Sequence, residues 1–395
     1  MNILCTTWQA HGHIQTVLGI LIEARKRGHR VSYSTILPTP DSAIFKAHGI
    51  KVVSLHVNMP DVAIPDFIAL QNDVEAFRKF AADLDPFELL IPGAERLVRL
   101  CKPDVMLYDA THWFSVIAAA RAKIPYAGVP QGWPLVVSGR TRGNDLDAFR
   151  SAGPGRDAVF RRFGVQPHEF VQSNCLSPSL NILATTRELV DSMGAPAVRP
   201  SFLLSGPIDC EGEGESLPAD FPEGRFLYFT FGTQLPLENA VFEVVREVCK
   251  SLSLPCVASA GKRGAETPPR GDGLHVYDWL PQHLALKRAS VVVFHGGMNT
   301  FGECCRYEVP MLIHPLQHDQ FDTAICAVRS GVGQVLSTVP SLMTGQIEAL
   351  LQPDAAERSR LARIGASFRR ADGSKASVDA LEDLVNRAGS ARLDP

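Results

Sequence analysis

Two stretches hold side chains whose types and spacing suit chemistry. In "SVVVFHGGMNTFGE", residues 290–303, an apolar run enters two glycines and then polar residues that open a helical pattern. Backbone N–H groups at a helix start, with the positive end of its dipole, favour phosphate. Gly296 and Gly297 let a backbone approach closely, His295, Asn299 and Thr300 offer donors, and Glu303, one turn on, accepts from hydroxyls such as those of a ribose. That set describes a sugar-nucleotide diphosphate. Thr300 and Glu303 also have the spacing of a capping box, which needs no ligand. The second stretch, "QAHGHIQ" at residues 9–15, sits between another strand and helix. Its single Gly12 is not the GxGxxG of a dinucleotide site, so something other than a cofactor is implied.

The elements that must position these residues follow from the hydrophobic pattern. "MNILCTT", "IQTVLGILIEARKRG" and "HRVSYSTI" read as strand, helix and strand, and "PDVMLYD", a helix near residues 113–123 and "PYAGV" repeat the unit. After Glu223 a second series runs from "RFLYFTFG" to "PMLIHP". The pattern predicts an α/β protein of two Rossmann-like, doubly wound parallel-sheet domains facing each other across a cleft. The expected boundaries are 1–206, a Gly-, Pro- and acid-rich linker at 207–222, 223–375, and a final helical segment at 376–395 that could pack back on the first domain.

Composition narrows the classes. With 395 residues, 45% hydrophobic, 21% charged and a net charge of −3, the chain is globular and carries no basic surplus for nucleic acid. Nine cysteines without a CxxC pair suggest neither zinc nor disulfides. The start lacks the basic flank and apolar core of a signal peptide, and no apolar run of membrane-spanning length occurs. A soluble protein of the cytoplasm is expected.

Around the glycine turn, Trp279, Pro281 and Gln282 precede His295-Gly-Gly-Met-Asn299-Thr300-x-x-Glu303, and Pro315, Asp319 and Gln320 follow. This order resembles the donor-binding signature of the UDP-glycosyltransferases, the inverting family with the two-domain GT-B fold, and the resemblance covers essentially the whole chain. It implies that Trp279 stacks on uracil with Gln282 at its border. Glu303 would hold the ribose hydroxyls, His295, Gly296, Gly297, Asn299 and Thr300 the diphosphate, and Asp319 and Gln320 the sugar. The "FGTQ" turn resembles the loop that also meets the phosphates, with Gly232 and Thr233 as candidates. Met298 departs from the tryptophan usual in plant members, and Asn299 leans towards a UDP-hexose such as UDP-glucose, with a dTDP-sugar as alternative. The "HGH" turn resembles the family's catalytic turn, which makes His13 the general base and Asp109, at the end of "VMLYD", its orienting carboxylate. No cofactor and no metal would be needed.

Other features carry less. The acceptor would be read by Phe67, Phe77, Phe80, Phe87, Trp113 and Trp133, which favour a hydrophobic small molecule such as a natural product; at helical spacing Phe77 and Phe80 are equally core residues. His11 reads as a cap or surface residue. His314 and His318 have metal-like spacing but flank a proline beside the sugar motif, and two Asp-Leu-Asp triplets, at 83–85 and 145–147, arise easily by chance. Two rival readings remain: a UDP-sugar epimerase or hydrolase of the same fold, and a non-catalytic sugar-nucleotide-binding subunit.

Overall fold

The computed structural model describes residues 1–8, 11–34, 42–53, 55, 88, 90–134, 153–171, 174–195, 197–208, 215–230, 239–259, 273–316 and 319–390. Phe67, Phe77, Phe80, Phe87, Gly232, Thr233, His318 and both Asp-Leu-Asp triplets lie outside these residues.

The chain groups into two compact units. The first comprises Met1–Ala184, Ala197–Asp209 and Asp372–Pro395, and the second Thr185–Pro196 and Cys210–Ala371. The first holds β1 (Asn2–Thr6), α1 (His11–Lys26), β2 (Arg30–Ser34), α2 (Ser42–Ala47), β3 (Lys51–Val52), α3 (Ile91–Cys101), β4 (Val105–Asp109), α4 (Trp113–Arg121) and β5 (Tyr126–Val129). These are followed by α5 (Gly153–Arg162), β6 (Phe170–Val171), β7 (Asn174–Cys175), β8 (Asn181–Leu183) and, after the crossing described below, β9 (Phe202–Leu204). Seven strands form a sheet in the order β3-β2-β1-β4-β5-β8-β9, with every pair parallel. The residues of β1 and β4 are buried throughout, as expected for strands covered on both faces.

Between β8 and β9 the chain crosses to the second unit and returns. The short helix α6 (Arg187–Ser192) lies in Thr185–Pro196, a segment the sequence pattern assigns to the first half. Its anchors explain the difference: Thr186 Oγ1 is 2.8 Å from Ser367 Oγ, and Glu188 is ion-paired with Arg363. Neither partner is near in sequence.

The second unit contains β10 (Leu227–Thr230), α7 (Asn239–Ser251), β11 (Cys256–Ser259), β12 (Leu274–Tyr277), α8 (Gln282–Leu286), β13 (Val291–Phe294), α9 (Met298–Arg306) and β14 (Met311–Ile313). It closes with α10 (Gln320–Ser330), β15 (Gly333–Val335), α11 (Pro340–Leu351) and α12 (Ala355–Arg370). Its six strands are parallel in the order β12-β11-β10-β13-β14-β15. The last helix, α13 (Gly373–Ser390), packs in the first unit against α1. It buries Val378, Leu381 and Leu384, and Arg27 Nη1 reaches Asp379 Oδ1 at 2.6 Å while His29 Nε2 lies 2.7 Å from Glu382 Oε1.

Each sheet reverses direction once. In the first, the chain runs outward from β1 on one side and from β4 on the other. In the second, it does so from β10 and β13. Ligands of open parallel sheets bind beyond the carboxyl ends of the strands at this switch point, and both stretches singled out by their chemistry sit there.

Candidate functional site

In the first unit the carboxyl ends of β1 and β4 meet. The helix α1 begins at His11, so His13 stands in its first turn rather than in the preceding loop. Its Nδ1 is hydrogen-bonded to Asp109 Oδ2. Asp109 is fully buried on the last residue of β4. Burial alone would push its carboxyl up; the adjacent His13, that hydrogen bond, His112 and the Thr111 hydroxyl outweigh it and leave the group below the usual carboxylate range. The hydrogen bond with His13 is therefore one of the contacts that let a fully buried carboxylate stay charged.

The other carboxylate oxygen is occupied as well. Asp109 Oδ1 accepts from the Thr111 amide at 3.0 Å and the Thr111 hydroxyl at 2.7 Å, and Thr111 Oγ1 accepts from Trp8 Nε1 at 2.5 Å. Sequence reading did not single out these two residues. The Asp-x-Thr spacing was the available signal, since an aspartate accepting from the amide two residues on makes an Asx turn. The neighbouring His112 is buried at 1% exposure, packed edge-on to Trp8 and tilted against Phe114. Burial brings its imidazole down to about 4, with Asp109 pulling the other way, so the ring is neutral near pH 7.

In the second unit the carboxyl ends of β10 and β13 meet, and α9 begins there. Its N-cap is Gly297, without a side-chain cap. The capping-box reading of Thr300 and Glu303 is thereby replaced: Gln282 Nε2 donates to Thr300 Oγ1 at 3.1 Å and to Glu303 Oε2 at 2.5 Å. Gln282, expected at the border of a base, thus ties α8 to α9 and fixes the Glu303 carboxylate. Gly296 is left-handed at φ 99°, and a Cβ there would lie 2.9 Å from the Gln320 carbonyl oxygen and 3.1 Å from Ile313 Cγ2. A Cβ at Gly297 would lie 2.8 Å from His295 Nε2, so the imidazole covers that backbone closely. Burial lowers His295 to about 4, against the pull of a hydrogen bond with the Thr230 backbone. The start of α9 is thus lined by a neutral imidazole and backbone amides, an arrangement suited to an anion.

The remaining candidates divide. Trp279 is 47% exposed, so it is not a core aromatic. Asn299 is partly buried in the first turn of α9. Asp319 precedes α10 without capping it by its side chain, whereas Gln320 is buried and its Oε1 accepts from the Leu316 amide at 2.8 Å, which commits that oxygen to the backbone. Trp113 and Trp133, expected as acceptor contacts, are 3% and 1% exposed, and Trp113 packs in the core beside Phe160. Composition alone could not separate an aromatic lining from an aromatic core. Among the described residues no His/Cys/Asp/Glu cluster has metal-site geometry, and no helix is long and apolar enough to cross a membrane.

No family model matches the chain. It is 30% identical over 429 residues to the uncharacterised UDP-glucosyltransferase YojK of Bacillus subtilis (strain 168), covering 98% of each chain. With the oleandomycin glycosyltransferase of Streptomyces antibioticus it shares 24% identity over 94% of this chain and 88% of that one. Among solved structures, the glycotransferase of kitacinnamycin superposes with a TM-score of 0.77 at 22% identity, over 97% of this chain and 98% of the other. The spinosyn rhamnosyltransferase SpnG, complexed with thymidine diphosphate, gives 0.73 at 18%, over 97% and 100%. The chain shares their GT-B fold.

Proposed function

The chain belongs to the UDP-glycosyltransferase family, and from that premise we propose that it transfers a hexose, with inversion, from a UDP-sugar to a hydroxyl of a hydrophobic small molecule of natural-product type. The observation that carries this reading is the His13–Asp109 pair at the switch point of the first sheet. With Nδ1 committed to the carboxylate, Nε2 is the nitrogen that takes the acceptor proton, and Asp109 stabilises the imidazolium that results. The acceptor oxygen bonds to the anomeric carbon as the bond from that carbon to the diphosphate oxygen breaks, so an α-linked donor yields a β-glycoside and free UDP. The first amides of α9 and its dipole receive the departing negative charge without a metal. Trp279 offers its exposed face to the base, and Glu303, oriented by Gln282, accepts from the ribose. The acceptor class follows the oleandomycin glycosyltransferase by name; thymidine diphosphate on SpnG keeps a dTDP-sugar as the competing donor.

The test is a panel of UDP-glucose, UDP-N-acetylglucosamine and dTDP-glucose against hydrophobic phenols and alcohols, read by mass spectrometry beside His13→Ala. A hexose adduct from UDP-glucose that disappears in the variant is expected. Donor consumption with free sugar and no adduct would replace the transferase reading with hydrolysis.

A further inference from the structure

Taking the transferase reading as its ground, we propose that Thr111 is a positioning residue for the general base, and that Trp8 acts through it. The chain of contacts runs Trp8 Nε1–H to Thr111 Oγ1 at 2.5 Å, Thr111 Oγ1–H to Asp109 Oδ1 at 2.7 Å, and Asp109 Oδ2 to His13 Nδ1. A threonine hydroxyl has one proton and two lone pairs. With the indole, which can only donate, held at one lone pair, that proton is directed to the carboxylate. The Thr111 amide, 3.0 Å from the same oxygen, completes the clamp. Two consequences follow. The carboxylate plane is fixed, which keeps Oδ2 on His13, and negative charge is drawn towards Oδ1, which moderates how tightly the carboxylate holds the imidazolium proton. A base that must release its proton at each turnover benefits from that moderation. Successive hydrogen bonds polarise one another, so the indole strengthens the bond that Thr111 gives.

Trp8 and Thr111 follow β1 and β4, the two strands that flank the switch point, so the clamp also joins the segment leading into the helix that carries the base to the segment after the strand that carries its carboxylate. Among the described residues, titratable groups coupled to Asp109 include His112 beside it, Cys5 on β1 and Tyr108 on β4. Burial, with the Asp109 charge adding to it, raises the Cys5 thiol and the Tyr108 phenol well above their ordinary values, and His112 is neutral, so none of the three changes charge between pH 6 and 9. Movement of the assigned His13 resonance in that range is therefore not mimicked by these three groups.

The experiment compares wild type with Thr111→Val, Thr111→Ser and Trp8→Phe in two measurements. The first is an NMR titration of the histidine Cε1–H resonances without substrate, with His13→Ala used for assignment. The second is the pH profile of kcat with UDP-glucose and 4-methylumbelliferone as probes. Thr111→Val is expected to raise the midpoint of the pair by about half a unit to one unit and to lower kcat by roughly 3- to 30-fold, with KM for UDP-glucose within about twofold. Thr111→Ser restores both, and Trp8→Phe shifts both in the same direction by less. A midpoint in Thr111→Val that stays unchanged or falls, in a variant whose thermal midpoint matches wild type, overturns the proposal, as does a serine variant that fails to restore it. The titration needs no turnover. A wild type inactive on these probes would weaken the transferase reading while the Thr111 proposal is still decided by NMR.

Discussion

The two switch points are built on one plan and furnished in opposite ways. At each, a buried parallel strand ends beside its neighbour and a helix begins. In the first unit the junction carries side chains: an imidazole in the first turn of α1, a buried carboxylate at the end of β4, and a hydroxyl and an indole behind it. In the second the junction is stripped to Gly296 and Gly297, so that backbone amides and the neutral His295 form its lining. A group that must gain and lose a proton needs a polarisable side-chain network, whereas a site for a permanent anion needs fixed dipoles that do not titrate. Tying an imidazole to a buried carboxylate at one junction and keeping an imidazole uncharged at the other match the two needs of the proposed transfer.

The largest way to break this contrast is His13→Ala, expected to lower kcat by about 10²- to 10⁴-fold. The dissociation constant of UDP, measured by calorimetry, is expected to stay within about twofold because the proposed anion site lies in the other unit. Conversely, Gly296→Ala strikes the anion site. A side chain at φ 99° with its Cβ 2.9 Å from the Gln320 carbonyl forces the backbone to move, at a cost of about 2–4 kcal/mol. UDP binding weakens at least tenfold, while the NMR titration of His13 is unchanged.

Stability against pH sharpens the comparison further, since each unit keeps one imidazole neutral by burial. Histidine depressed to about 4 in the folded state, against about 6.5 unfolded, contributes stability that is full above pH 6.5 and is lost as pH falls towards 4. Denaturant midpoints should therefore decline across that window. His112→Phe should flatten the decline by roughly 3 kcal/mol at most, given the complete burial of that ring. The smallest effect is expected from Gln282→Leu. Releasing Glu303 Oε2 from its 2.5 Å bond leaves the carboxylate unaligned, which weakens UDP about 5- to 10-fold with kcat at saturating donor nearly unchanged.

Much of this was legible in the sequence because it is local. The apolar runs that became β1, β4, β10 and β13 are buried strands where the pattern puts them, and the glycine turn before α9 is a contiguous string. What escaped was non-local. Gln282 finds Glu303 across twenty-one residues, and Trp8 finds Thr111 across 103. Neither separation leaves a periodic trace. Residues 187–192 fall within the stretch the sequence pattern assigns to the first half, and it is non-local contacts, such as those of Thr186 and Glu188 with α12, that place them in the second unit. Trp113 and Trp133 are indistinguishable by type from a ligand-facing aromatic, and the packing that buries Trp113 includes Phe160, forty-seven positions on. Gln320 sits in the string that resembles a sugar-binding pair, yet the turn before α10 takes its oxygen for the Leu316 amide, a demand that no motif records.

The fastening of α13 to α1 has a mechanical consequence. Residues near both ends of the described chain belong to the first unit, joined by Arg27–Asp379 and His29–Glu382 over the buried Leu381. Topologically the second unit is two segments inserted into a body whose two ends are tied together. Tension applied between residues 1 and 390 would load the α1–α13 seam first, and the inserted sheet would feel no force until that seam had opened. An optical-trap experiment pulling on those two points should record rupture of the seam as the earliest event, with unfolding of the six-stranded sheet after it.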